Sequence, residues 1–177
     1  MSVPLDSLEQ FPQQVQVQRS MVYVRQSDYF AVHLQEPSQT SPARLASEAV
    51  LTLEDHIAIF RGSPATHRSI ATQAEAISAV YVLEPGGSIA VPTGQVFLRF
   101  AEGVAVETHQ NTIQQAGYQV TEIVFYAPNA AWLRPLSGEI ADALRLLPQL
   151  EAIDPVEVVE PQMVMGRSKR ELMQSAT

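Results

Sequence analysis

The run EAISAVYVLEP at residues 75–85 returns as EAIDPVEVVEP at residues 151–161, with seven of eleven positions identical. Each run reads as the end of an apolar helix, a short turn and a strand carrying Val at alternate places. That unit packs a helix onto a sheet. Its recurrence 76 residues later points to one α+β unit used twice.

The second half has the clearer punctuation. Residues 95–100 (QVFLRF) alternate Val96, Leu98 and Phe100 against Phe97 and Arg99. A polar-faced helix over residues 107–116 ends at Gly117, a residue suited to a left-handed helix terminus. Two strands, 118–126 and 130–136, flank the turn Ala127, Pro128 and Asn129. Ser137 is placed as an N-cap, Ile140, Ala143, Leu144 and Leu147 repeat on one helix face, and Pro148 ends or kinks that helix. Strand 156–160 closes the half. The order is strand, helix, strand, strand, helix, strand, which predicts a ferredoxin-like (split βαβ) antiparallel sheet with both helices on one face.

The first half fits the same plan less cleanly. Residues 1–14 read as a loose arm, and 15–25 with 29–34 as a hairpin around Ser27 and Asp28. A short helix is expected over 43–50 and a strand over 56–60. A helix face follows at Ile70, Ala71, Ala74 and Ile77, then a strand over 80–84. The predicted organisation is a degenerate copy over 15–85, a linker at 86–94 around Gly86 and Gly87, a second copy over 95–165, and a polar tail over 166–177. The helix-free face of the second copy would carry some of Phe97, Val124, Tyr126, Trp132 or Leu133, and Val159. It is too apolar to face water, so either the first copy covers it or continues the sheet, or a protein partner covers it.

A hydrophobic fraction of 46% and a charged fraction of 17% are those of a folded chain. Eleven basic against nineteen acidic residues leave a net charge of −8, which repels phosphate backbones and anionic membranes, so neither nucleic acid nor a membrane is an expected partner. No apolar run is long enough to span a bilayer, and residues 1–14 lack the basic start and apolar stretch of an export signal. The default expectation is the cytoplasm. With no Cys, thiolate chemistry is absent. His33, His56, His67 and His109 lie in separate elements without metal-ligand spacing, and Glu139 with Asp142 reads as a solvated helix face. No nucleophile elbow, phosphate loop or dinucleotide fingerprint occurs, so no catalytic residue, metal or cofactor is expected.

In order, QVFLRFAEGV, a helix ending at Ala116 and Gly117, YAPNAAWLRPL, and a helix running into LEAIDPVEVVEPQ make residues 92–165 resemble the N-terminal prodomain of bacterial subtilisin-like serine proteases. Those prodomains are ferredoxin-like, and the first half looks like a degenerate copy preceding it. The resemblance implies a non-enzymatic folding chaperone and inhibitor of a separately encoded subtilisin-like protease. Its sheet face, with Tyr126, Trp132 and Val159, would pack on the enzyme. Gln162, Met163, Val164 and Met165 would lie extended in the substrate cleft, where backbone hydrogen bonds give affinity and side-chain pockets give specificity. None of the family's catalytic Asp, His or Ser has a counterpart here, and twelve residues follow Met165. The alternatives left open are a protein-binding or self-associating scaffold that keeps only the fold, and an enzyme with a small-molecule site between the copies.

Overall fold

The computed structural model describes residues 7–34, 48–72 and 74–167. It is a mixed helix and antiparallel-sheet structure, mostly strand with few and short helices. Two compact units divide it: Met1–Val91 with Met163–Thr177, and Pro92–Gln162. The chain passes between them within two strands, β6 (Ser88–Phe100) and β9 (Val156–Met165). Residues 88–94, expected as part of a linker, are therefore strand. Only the tight turn before them is open, with Gly86 at φ +120° and Gly87 at φ +75° supplying the conformation that a short hairpin needs.

In the first unit, β1 (Gln14–Gln18) folds back on β2 (Met21–His33), with Gln18 opposite Met21. The hairpin thus turns at Arg19 and Ser20. Ser27 and Asp28, expected as its turn, lie inside β2, where the register against β5 shifts between Gln26 and Phe30. The strand runs through these turn formers because it is paired on both sides beyond them. Phe30, Ala31 and Val32 face β4 (Ile57–Arg61) on one edge and β5 (Ala76–Glu84) on the other. A three-residue strand, β3 (Leu51–Leu53), pairs with β4, giving the order β3-β4-β2-β5.

The helix expected through Ile77 is one turn, α1 (Arg68–Ala71). Ile77 belongs to β5 instead, where it sits opposite Val32 and joins a core of Phe30, Val32, Ala58, Phe60, Ile70 and Ala71. Alternate residues of the same strands, Ala31, Ile57, Ile59 and Val80, form a second core with Leu53, Ile89, Val91 and Val164. Burial on both faces explains why β4 reads as an unbroken apolar run. The loose arm is also revised. Phe11 is buried, Arg25 Nη1 donates to the carbonyls of Leu8 (2.8 Å) and Phe11 (2.7 Å), and the Tyr81 hydroxyl donates to the Pro12 carbonyl at 2.7 Å. The helix expected over 43–50 lies outside the described residues except at 48–50, as do residues 1–6 of the arm and 168–177 of the tail.

In the second unit, a 3₁₀ turn (Val106–His109) leads into α2 (Gln110–Gln115), which stops at Gly117 with φ +96°. Strands β7 (Tyr118–Ile123) and β8 (Ala130–Pro135) follow. Pro148 falls in the first turn of α4 (Leu147–Glu151), so the expected single helix is broken after α3 (Ile140–Arg145). The Ser137 hydroxyl accepts from the Glu139 N–H at 3.2 Å, although Glu139 holds the N-cap position. The sheet order is β7-β8-β6-β9, and the pairs run antiparallel. Val96, Leu98, Phe100 and Leu133 from the strands are buried, as are Val106, Ile113, Leu144, Leu147 and Leu150 from the helical segments. Tyr118 donates its hydroxyl to the Ala143 carbonyl at 2.8 Å, tying β7 to α3.

Of the two similar runs, the first lies in β5, which pairs with the long strand β2, and the second runs into β9, which pairs with β6. The copies differ locally: strand begins at Ala76 in one, whereas residues 152–155 form a turn in the other and strand begins at Val156.

Candidate functional site

Strand alternation assigns the side chains of the second unit to two faces. On β6, Phe97 and Arg99 point away from the buried set Val96, Leu98 and Phe100. On β8, Trp132 is half-buried and Arg134 exposed, whereas Leu133 is buried. The choice between Trp132 and Leu133 for the helix-free face is therefore Trp132. Phe97 and Trp132 are register partners with ring centroids 5.4 Å apart at 63°, an edge-to-face contact.

β9 runs beside β6 in the opposite sense: the Ala101 N–H donates to the Pro155 carbonyl at 3.0 Å, Arg99 Nη2 lies 3.8 Å from Glu157 Oε2, and Thr93 Oγ1 donates to Gln162 Oε1 at 2.7 Å. Two residues along from the Arg99 and Glu157 pair, Phe97 comes alongside Val159. Trp132, Phe97 and Val159 thus form a half-buried apolar strip across three strands, bordered by an ion pair whose partners are each about half exposed. An ion pair so exposed contributes little stability.

Tyr126 does not belong to this strip. β7 ends at Ile123, and Tyr126 stands in the following loop, 77% exposed and edge-on to Phe125, which is 95% exposed, with centroids 5.0 Å apart. The loop backbone is held at several points. Val124 N–H donates to the Ala130 carbonyl, Val106 N–H to the Pro128 carbonyl, and the Asn129 side-chain amide to the Phe100 carbonyl. Two exposed aromatic rings therefore project from an anchored loop. Phe125 was not expected here, because residues 118–126 read as continuous strand.

The four residues placed in a substrate cleft by resemblance lie in the second half of β9. Gln162 accepts the bond from Thr93, Met163 is half-buried, and Met165 is 44% exposed with its sulfur 3.9 Å from the Tyr23 hydroxyl. Val164 is buried in the first unit's core beside Leu53 and Ile89. Cleft binding by this segment requires a core residue to leave its core.

Several titratable groups have structural partners. His33 Nε2 is 2.9 Å from the fully buried Ser78 hydroxyl, and burial, aided by the charge of nearby His56, pushes the imidazole down to about 4. A serine so enclosed gives no substrate access to its oxygen. His67 packs against both Phe30 and Phe60, and His109 lies on Phe100 at 4.8 Å. Burial raises the Tyr81 and Tyr118 phenols above their ordinary range. Among the described residues no three metal-ligating side chains gather, and no helix is long and apolar enough to cross a membrane. The chain finds no significant match among family models, curated proteins or solved structures.

Proposed function

We propose that this chain is a non-catalytic protein-binding module of two ferredoxin-like copies, and that its second unit docks onto a separately encoded subtilisin-like serine protease. The sheet orders β3-β4-β2-β5 and β7-β8-β6-β9 support the two-copy reading. With the extra leading strand β1 set aside, the four remaining strands of the first unit and the four of the second lie, in chain order, as second, third, first, fourth, the strand order expected of a split βαβ unit. The protease as partner class rests on the resemblance of residues 92–165 to subtilase prodomains.

The observation that carries the docking role is the strip Trp132, Phe97 and Val159 on the helix-free side of the second unit, with an edge-to-face aromatic pair at its centre. Aromatic side chains held by a strand and flanked by charged residues are the usual anchors of protein interfaces. Residues 162–165 are not assigned to the docking surface, since they are committed to β9.

A steady-state assay of the full chain against subtilisin-like proteases tests this. Dose-dependent inhibition that weakens about tenfold or more in Trp132→Ser, the range expected of an interface anchor, supports it. A protein that leaves the enzymes untouched and elutes as a dimer dissociated by Trp132→Ser would assign the strip to a second copy of the chain.

A further inference from the structure

The first unit contains a cavity of about 310 Å³, near the lower end of the size range for small-molecule sites. Its floor is the bulge of β2 with Ala79 of β5. Its walls are the 3₁₀ turn Ser7–Gln10 and the segment Ser63 to Pro64. The bulge creates the space: between Gln26 and Phe30 the strand carries residues that have no partner on β5.

Two opposite charges line this cavity, Arg25 and Glu9. Arg25 is held in place by the two bonds from Nη1 to the carbonyls of Leu8 and Phe11. Among the described residues its remaining guanidinium nitrogens have no protein acceptor, and it makes no ion pair with Glu9. Ser27 and Ser63 belong to the same lining, with Leu8 and Pro64. An anion alone meets repulsion from Glu9, and a cation alone meets repulsion from Arg25. A zwitterion satisfies both, with its carboxylate on the guanidinium and its ammonium on the carboxylate.

From this lining we infer that the cavity is a binding site for a free α-amino acid. The carboxylate is held by Arg25, the ammonium by Glu9, and a small side chain lies against Leu8 and Pro64. The site is independent of the protein-docking role, since none of its residues belongs to the second unit.

Calorimetric titration of the full chain with each of the twenty standard L-amino acids tests the assignment, followed by the N-acetyl and methyl-ester derivatives of the strongest binder. The expected result is a saturable millimolar or tighter binder that loses about tenfold or more in affinity when either charge is capped. Glu9→Gln and Arg25→Gln should each weaken it about as much. Because Arg25→Gln also frees the 3₁₀ turn, the exposed Glu9 supplies the cleaner variant, with unchanged circular dichroism as its control. The inference is overturned if no amino acid binds at about 10 mM, if the ester or acetyl derivative binds as well as the parent, or if Glu9→Gln leaves affinity unchanged.

Discussion

His33 Nε2 and the Ser78 hydroxyl lie 2.9 Å apart in the interior of the first unit, and the burial of the imidazole there sets a pH dependence of stability. Burial first, and the charge of His56 second, lower the imidazole from 6.5 to about 4. Above pH 6.5 the group is neutral folded and unfolded and contributes no pH dependence. As pH falls from 6.5 towards 4, the unfolded chain takes up a proton that the folded chain refuses, so stability drops. The loss reaches about 3 kcal/mol and levels off below the folded value. His33→Gln should remove this slope. Between pH 7 and 4 the urea midpoint of the parent should fall relative to that of the variant, or the folded imidazole is not depressed.

Gly117 ends α2 at φ +96°, and a Cβ there would stand 2.8 Å from Leu146 Cδ1. Gly117→Ala therefore carries a left-handed backbone penalty and displaces Leu146, for a loss of about 2 kcal/mol or more. Gly103, at φ +84° with open space around it, carries the backbone penalty alone, about 1 kcal/mol. Equal losses for the two alanine variants in chemical denaturation would contradict the close approach at Gly117.

Val164 and Met165 separate core from surface on adjacent residues of β9. Val164→Ala removes two methyl groups from a core shared with Leu53 and Ile89 and should cost about 2 kcal/mol. Met165→Ala, at a position 44% exposed, should cost about 0.5 kcal/mol or less. The opposite ranking in thermal melts would mean that residues 162–165 do not complete the first unit's core.

What the sequence reveals depends on how local the deciding contacts are. Val96, Leu98 and Phe100 declare an inner face by simple alternation, and with it the outward Phe97 that meets Trp132. Gly117 and Pro148 interrupt helices by their own backbone chemistry, so both stops are legible. The hairpin at Arg19 and Ser20 is not, because Ser27 and Asp28 carry the stronger turn signal and only pairing on both edges of β2 overrides it. β9 looks finished at Pro161, yet it continues to Met165. Among the described residues its one strand partner is β6, and an edge strand tolerates a residue lacking an N–H. Val164 is consequently hidden from a local reading. Phe125 escapes notice because an apolar run before a turn resembles strand, whereas β7 stops two residues earlier.

Phe125 and Tyr126 contact little besides each other, so replacing both by Ser should leave the denaturation midpoint within about 0.5 kcal/mol of the parent. A larger loss would show that the loop aromatics are structural, and would remove them as a surface free to meet a partner.

Trp132 is the chain's one tryptophan, which makes a single fluorine resonance a direct reporter of the proposed docking strip. The measurement is fluorine NMR of the full chain labelled with 5-fluorotryptophan, titrated with a catalytically inactivated subtilisin-like protease. The account predicts a saturable shift or broadening of that resonance, reduced in Phe97→Ser, whose ring is the edge-to-face partner of Trp132. A resonance unchanged at saturating protease would contradict docking through this face.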